Sequence, residues 1–338
     1  MPGTGKRPRK PLTAWLIPLL LLGLFLAGLE MILRAGKFRY EPDAEFSYPR
    51  PNDFAEVRYD PELFWTLRPN DPGVNSRGFF GKEIVVEKPA GAYRILFIGD
   101  SIMEAGYPAQ VEACLRDAGV AGAEAISLAV RGYSSYQGRV VAEKYGKLLQ
   151  PDLVLVQFGW NDHWLAFGKP DAEKSFAAPS EWVLKIHRVY DRVRVLQAAG
   201  WVWGVLLGQG NTATGQLRVS PEAYADNLRA MQKLFEADNI PVWIVTAPSA
   251  HAQFGVAEDL IQRQFAKDAE SVITLHTAYN EIAREVAGER LVDVAGAFEG
   301  VPADDMRTLF QLDGIHPTHA GTEKIAAVVC EAIRPYLP

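Results

Sequence analysis

The 338-residue chain reads as an α/β protein: a mostly parallel five-stranded sheet with helices between its strands, behind one N-terminal transmembrane helix. Three observations predict this. Short apolar runs alternate with helical periodicity from Tyr93 onward, a long uncharged run follows a basic start, and polar clusters recur just after the apolar runs. Strands alternating with helices build parallel sheets, and ligands of such sheets bind beyond the strands' C-terminal ends.

The first element is the anchor. Residues 1–11 form a basic tail containing Lys6, Arg7, Arg9 and Lys10, and the uncharged run LTAWLIPLLLLGLFLAGL follows from Leu12 to Leu29. With its continuation through Leu33 the span is placed at 12–34, close to the roughly 20 residues that cross a hydrocarbon core. Basic residues before a span favour a cytoplasmic N-terminus, which sends the C-terminal domain to the periplasmic or extracellular side. A cleaved signal peptide is the competing reading, but its apolar region is normally only about 7–15 residues and ends at a small-x-small site. Ala27-Gly28-Leu29 makes a poor site, and no cysteine follows for lipid attachment.

Residues 35–90 form an irregular strap rich in Pro, Gly, Asp and Arg, whose aromatics argue against a freely disordered linker. The main domain is assigned to 91–338. Its buried strands are expected at YRILFIG (93–99), AEAISLAV (123–130), DLVLVQFG (152–159), PVWIVTAP (241–248) and, more weakly, RLVDVAG (290–296). Helical patterns fall around 108–118, 136–149, 221–238, 275–288 and 319–334. An insertion at about 163–220 interrupts the alternation, with a helix expected over 180–198. The apolar WVWGVLLG (201–208) fits a strand, a buried turn or part of a lid. Trp160, Trp164, Trp182, Trp201 and Trp203 lie in or beside this insertion and predict a small satellite core. A sugar-stacking, acyl-binding or membrane-resting surface is the other reading of these tryptophans.

Composition narrows the function. The net charge is −6 with no basic block outside the N-terminus, so a nucleic-acid partner is not expected. Cys114 and Cys330 are the only cysteines, too few for a disulfide framework or a zinc-ligand set. GDSIMEAG matches neither the P-loop nor the dinucleotide fingerprint, and the missing Gly-x-Ser-x-Gly elbow argues against an α/β-hydrolase.

Four polar clusters carry the chemistry. The first strand ends in Gly99-Asp100-Ser101, the second leads into Val130-Arg131-Gly132-Tyr133 and the third into Gly159-Trp160-Asn161-Asp162. Asp313-Gly314-Ile315-His316 precedes the last helix. All four therefore sit at one edge of one sheet. Ser101 is the candidate nucleophile, His316 the base that activates it and Asp313 the group that orients the imidazole. The Ser101 and Gly132 backbone N–H groups and the Asn161 amide are candidate oxyanion donors, each of a kind worth about 2.7–4 kcal/mol in the transition state. Gly99, Asp100, Gly159 and Asp162 support these motifs. Ser101 could instead cap a helix, and Asn161-Asp162 could form a plain Asx turn.

The blocks GDSI, AVRGYSS, GWND and DGIHPT, in this order over about 91–335, resemble the SGNH/GDSL hydrolase superfamily, named for its Ser, Gly, Asn and His. The strap segment NSRGFFGKEI is similar to one found upstream of bacterial members. The resemblance implies a three-layer α/β/α, flavodoxin-like fold with esterase, lipase, deacetylase or acetyltransferase chemistry, and neither metal nor other cofactor. One departure is Ile102-Met103-Glu104-Ala105-Gly106, which keeps only the glycine of the family's small-residue turn. In a flavodoxin-like order the helices bearing Cys114 and Cys330 cover the same face. The two could then bridge outside the cytoplasm, provided their Cα atoms lie within about 7 Å.

The reading that results is a membrane-anchored extracytoplasmic serine esterase acting on an acyl ester, on an envelope carbohydrate or lipid. An O-acyltransferase acting on an envelope polysaccharide would use the same residues. A non-catalytic binding protein keeping the fold is the reading from another class. Asp313, His316 and His319 also spell D-x-x-H-x-x-H, a possible zinc set, though no companion acidic cluster exists and His319 reads as a helix-start residue. His163 reads as a solvent-exposed loop residue.

Overall fold

The computed structural model describes residues 13–38, 57–174, 181–206 and 213–337. The basic tail, the first part of the strap and Leu207-Gly208 of the WVWGVLLG segment lie outside the described residues. By contacts the chain forms two compact units, residues 1–44 with 179–211 and residues 45–178 with 212–338.

The larger unit has the expected α/β/α fold. Its sheet has strands β1 (Tyr93–Gly99), β2 (Ala123–Ser127), β3 (Leu153–Gln157), β4 (Val242–Val245) and β5 (Leu291–Val292), in the spatial order β2-β1-β3-β4-β5 and all parallel. This 2-1-3-4-5 order is the flavodoxin-like one. Pleating sorts alternate residues of each strand to opposite faces. Ile95, Phe97, Leu153, Leu155, Trp243 and Val245 go to one core. Leu96, Ile98, Val154, Val156, Val242 and Ile244 go to the other. Helices α2 (Tyr107–Asp117) and α8 (His319–Ile333) cover the first face through Val111, Leu115, Ile325 and Val329. Helices α3 (Ser135–Val141), α6 (Pro221–Glu236) and α7 (Ala269–Ala287) cover the second through Val141, Leu228, Phe235 and Ala283. With no polar face left on the sheet, the strands read as continuous apolar runs, which is why they stood out in the sequence.

Cys114 of α2 and Cys330 of α8 are disulfide-bonded, with Cα atoms 6.4 Å apart. The strap contributes a hairpin, Val57–Asp60 paired with Phe64–Leu67, whose Leu63, Phe64 and Trp65 pack into the second core. Some helices differ from the sequence pattern. The helix expected over 136–149 keeps α geometry only to Val141, then widens to a π turn at Ala142–Gly146 and tightens to a 3₁₀ turn. Helix α7 begins several residues earlier than expected because Asp268 caps it, accepting from the Ser271 N–H. Only Leu291–Val292 of RLVDVAG is strand, since Asp293 starts a short helix there.

The smaller unit holds α1 (Thr13–Ala35), whose segment Leu16–Ala35 is long and apolar enough to cross a membrane. It also holds α4 (Glu181–Arg192) and α5 (Arg194–Leu206) from the insertion. WVWGVL is thus the end of a helix, neither strand nor buried turn, and Trp201 and Trp203 are exposed. The insertion divides between the units: its stem, Leu165–Phe167 antiparallel to Ala213–Leu217, stays with the sheet domain.

Candidate active site

All four polar clusters emerge at the C-terminal edge of the sheet. β1 ends at Gly99, and the next turn starts a short helix, Ser101–Glu104. Its N-cap is Asp100, whose Oδ1 accepts the Ile102 N–H at 3.0 Å. The capping role considered for Ser101 therefore falls to its neighbour. The serine hydroxyl meets His316 Nε2 at 3.0 Å instead. His316 Nδ1 donates to Asp313 Oδ2 at 2.6 Å, completing a line Asp313–His316–Ser101. Asp313 Oδ1 also accepts the Ile315 and His316 N–H groups, each at 2.9 Å, so its carboxylate is fixed by the loop it belongs to.

That loop is held from outside. His251 Nε2 donates to the Asp313 carbonyl at 2.8 Å, and the Ala250 N–H donates to the Gly314 carbonyl at 2.9 Å. Gly314 has φ +69°, and a Cβ there would lie 2.6 Å from His251 Cδ2. No other residue fits without displacing the clamp.

The donor loops are fixed as firmly. Gly132 takes φ +80°, unfavourable for any side chain. Glu104, in the block that departs from the family pattern, accepts the Arg131 N–H at 2.7 Å and the Arg131 guanidinium at 2.8 Å. It ties the glycine loop to the helix that begins at Ser101. Buried Arg218 donates from Nη1 to the Gly132 carbonyl at 2.9 Å and from Nη2 to Gln137 at 2.9 Å and to Asp171 at 2.8 Å. Asp171 also takes the Ser134 hydroxyl at 2.7 Å and the Lys174 ammonium at 2.8 Å. Arg218 and Asp171 lie at the insertion's base, so the insertion stem is locked to the glycine loop. No local motif announces this pair; only the fold brings the charges together.

Asp162 accepts the Gly159 N–H at 3.1 Å and the Ser135 N–H at 2.8 Å, bending the third loop around Asn161. The Asn161 Nδ2 donates to Asp100 Oδ2 at 3.2 Å. One of its two amide hydrogens is used there, and the other remains for an acceptor in the cavity that Asn161 lines. This cavity of about 210 Å³ is bounded by Ser101, Asp313 and His316 on one side and by Trp160, Trp164, Leu260, Phe265 and Ile315 on the other. Leu260 lies in a short helix, Glu258–Gln262, and Arg263 and Phe265 follow its end; no sequence motif marks this stretch. Arg263 stacks on Phe265, its guanidinium 4.9 Å from the ring centre.

Electrostatics follow from burial and partners. Burial opposes a charge on His316, but its bond to Asp313 and the nearby carboxylates of Asp313, Asp100 and Glu104 raise its pKa. Burial would raise Asp313 too, yet its hydrogen bonds from His316 and Ile315 hold it at about 2. Asp100, wholly buried, is pushed up to about 7, and Asp162 to about 6 for the same reason.

One histidine differs from expectation. His163 is not a solvent-exposed loop residue: it is buried beside Trp160 and Trp164, because the third loop turns inward under the insertion stem. His276 stacks on Trp160 at 3.7 Å, and its pKa is lowered by burial to about 3. His319 begins α8, as the sequence suggests, and its side chain lies in solvent beside Glu323. The five tryptophans do not form one satellite core. Trp160 and Trp164 join the main core, while Trp182, Trp201 and Trp203 are exposed.

Sheet order and layers define a three-layer α/β/α fold of the flavodoxin-like order, with Ser101 just beyond the end of β1. Residues 97–324 match the GDSL-like lipase/acylhydrolase family, and the chain belongs to that family. Among solved structures it is similar to a lipase/acylhydrolase from Enterococcus faecalis, at 18% identity over 72% of this chain and 97% of the other, with TM-score 0.45. It is also similar to a GDSL-like lipase from Bacteroides thetaiotaomicron, at 19% identity over 74% and 93%, with TM-score 0.45. An acetylxylan esterase from Geobacillus stearothermophilus aligns at 15% identity over 73% and 96%, with TM-score 0.46. No curated protein matches the chain.

Proposed function

We propose that the protein is a membrane-anchored extracytoplasmic serine esterase that works through an acyl-enzyme on Ser101. The observation that carries this is the hydrogen-bonded line Asp313–His316–Ser101 at the mouth of a cavity. His316 Nε2 takes the hydroxyl proton as Ser101 Oγ attacks the ester carbonyl, and the imidazolium returns that proton to the departing alkoxide. Asp313 holds the imidazole with Nδ1 protonated and stabilises the cation as it forms. The Ser101 and Gly132 N–H groups and the free half of the Asn161 amide receive the developing oxyanion. Water then repeats the sequence on the acyl-serine. Gly99, Asp100, Gly159 and Asp162 shape the loops and need not touch the substrate.

The substrate is a short acyl or acetyl ester on an envelope carbohydrate or lipid. A cavity of about 210 Å³ is smaller than the roughly 300–1,000 Å³ of drug-sized sites, which favours a short acyl group over a long chain. The outside location is supported by the basic residues before the span and by the Cys114–Cys330 bond, which suits an oxidising compartment.

Rapid-quench mass spectrometry of the full chain with p-nitrophenyl acetate tests the mechanism. An acetyl group should appear on the Ser101 peptide and then decay, and should be absent in Ser101→Ala. Acetylation elsewhere, or none in folded protein that turns the ester over, contradicts it. Decay that accelerates on adding a polysaccharide acceptor, with acetylated product, would assign transfer instead of hydrolysis.

A further inference from the structure

We propose that the α4–α5 hairpin is a second membrane-contact element, lying in the headgroup–acyl boundary beside the outer end of α1. This rests on the reading that α1 spans the bilayer. The uncharged stretch of α1 from Thr13 to Leu29 is about 26 Å long at 1.5 Å per residue, close to the roughly 30 Å of a hydrocarbon core. Glu30 and Arg34, the next charged residues, therefore fall at the headgroup level. They are the residues that hold the hairpin. The Glu30 carboxylate accepts the Val195 N–H at 2.9 Å, and the Arg34 guanidinium donates to the Arg192 carbonyl at 2.6 Å. Arg34 also pairs with Glu30 at 2.7 Å. The turn between α4 and α5 is thereby pinned to the level where the span leaves the membrane.

What the hairpin presents there suits a bilayer. Trp182, Ile186 and Val189 are exposed at a spacing that puts them on one face of α4. Trp201, Trp203 and Leu206 are exposed along α5, Leu206 at 74%. Large apolar residues gathered in one short hairpin mark an interaction surface, and tryptophan favours the membrane interface. Charge agrees. Residues 181–206 contain Lys185, Arg188, Arg192 and Arg194 against Glu181 and Asp191, so four positive charges less two negative give +2 within a chain of −6. That excess favours an anionic leaflet. The pattern is that of an interfacial amphipathic element: over the described residues the helices are 12 and 13 residues long, against the roughly 20 that cross a hydrocarbon core.

The test uses the full chain, with its native disulfide, reconstituted into phosphatidylcholine–phosphatidylglycerol vesicles. Single cysteines at Leu22→Cys, Trp203→Cys and Leu206→Cys carry an NBD fluorophore, and quenching by lipids bearing doxyl groups near the headgroup or mid-chain is compared. Labels at 203 and 206 should lose about twofold or more of their emission to the shallow quencher and less to the deep one, the signature of an interfacial helix. The label at 22 should respond more to the deep quencher. Quenching at 22 with none at 203 and 206 overturns the proposal and leaves the anchor standing. Contact between labels at 203 in two chains, without lipid quenching, also overturns it, in favour of a second copy. Absence of quenching at 22 removes the anchor and the proposal together.

Discussion

His316 sits among three carboxylates, and under the proposed mechanism its proton sets the pH dependence of turnover. Asp313, Asp100 and Glu104 together raise its pKa above the ordinary 6.5. Only the neutral imidazole can accept the Ser101 proton, so ester turnover should rise with pH through that raised value and then level off. Asp313→Asn should lower kcat about 10⁴-fold by favouring the wrong tautomer, and should move the acid limb down because a raising charge is gone; a pH–rate profile reads both. Asp100 is itself pushed up to about 7 by burial. Asp100→Asn should also shift the limb down. Its new amide would face the Asn161 amide, so one proposed oxyanion donor would be misplaced and kcat should fall about 10²-fold. A limb unchanged in both variants would contradict the assigned electrostatics. Ser101, Asp313, His316, Gly132 and Asn161 were legible because each follows a strand or precedes a helix in a short motif. Arg263, His251 and the burial of His163 were not, since their positions depend on loops whose paths no local pattern specifies.

Elements are most legible in the sequence where one physical constraint dominates. Buried parallel strands must be apolar on both faces, and β1, β3 and β4 appeared as unbroken runs. Helix ends were harder, because Asp268 and Asp293 act as caps through side-chain geometry that the apolar period does not record. The insertion was hardest: its stem is keyed into the domain by buried charges 47 residues apart in the chain. Arg218→Met would leave Asp171 buried with only Lys174 as counter-charge. Loss of about 3 kcal/mol in denaturant unfolding is expected, as for breaking a buried ion pair. Arg218→Lys should recover part of that stability but less of kcat, because a lysine cannot span Gly132, Gln137 and Asp171 at once. Full recovery of activity in the lysine variant would remove the role given to Arg218 in holding the glycine loop. For the α2–α8 pair, Cys330→Ala should lower stability by about 2–4 kcal/mol, seen as an earlier denaturant midpoint only under non-reducing conditions.

The whole chain carries a GDSL-like acylhydrolase domain and, among the described residues, one helix apolar enough to cross a membrane; family membership rests on the domain alone. The expected orientation follows from the basic residues ahead of Leu12. A reporter fused after Pro338 should be active only outside the cytoplasm, and cytoplasmic activity would overturn that topology. The claim on which the rest depends is that Ser101 is a nucleophile activated by His316. Fluorophosphonate labelling of the full chain in detergent, alongside Ser101→Ala and His316→Ala of verified fold, tests it most directly. Labelling of the wild type is expected, with none in the serine variant and strongly reduced labelling in the histidine variant. Folded wild type that resists the probe, or equal labelling in Ser101→Ala, would contradict it and shift the weight to a binding protein built on an enzyme fold.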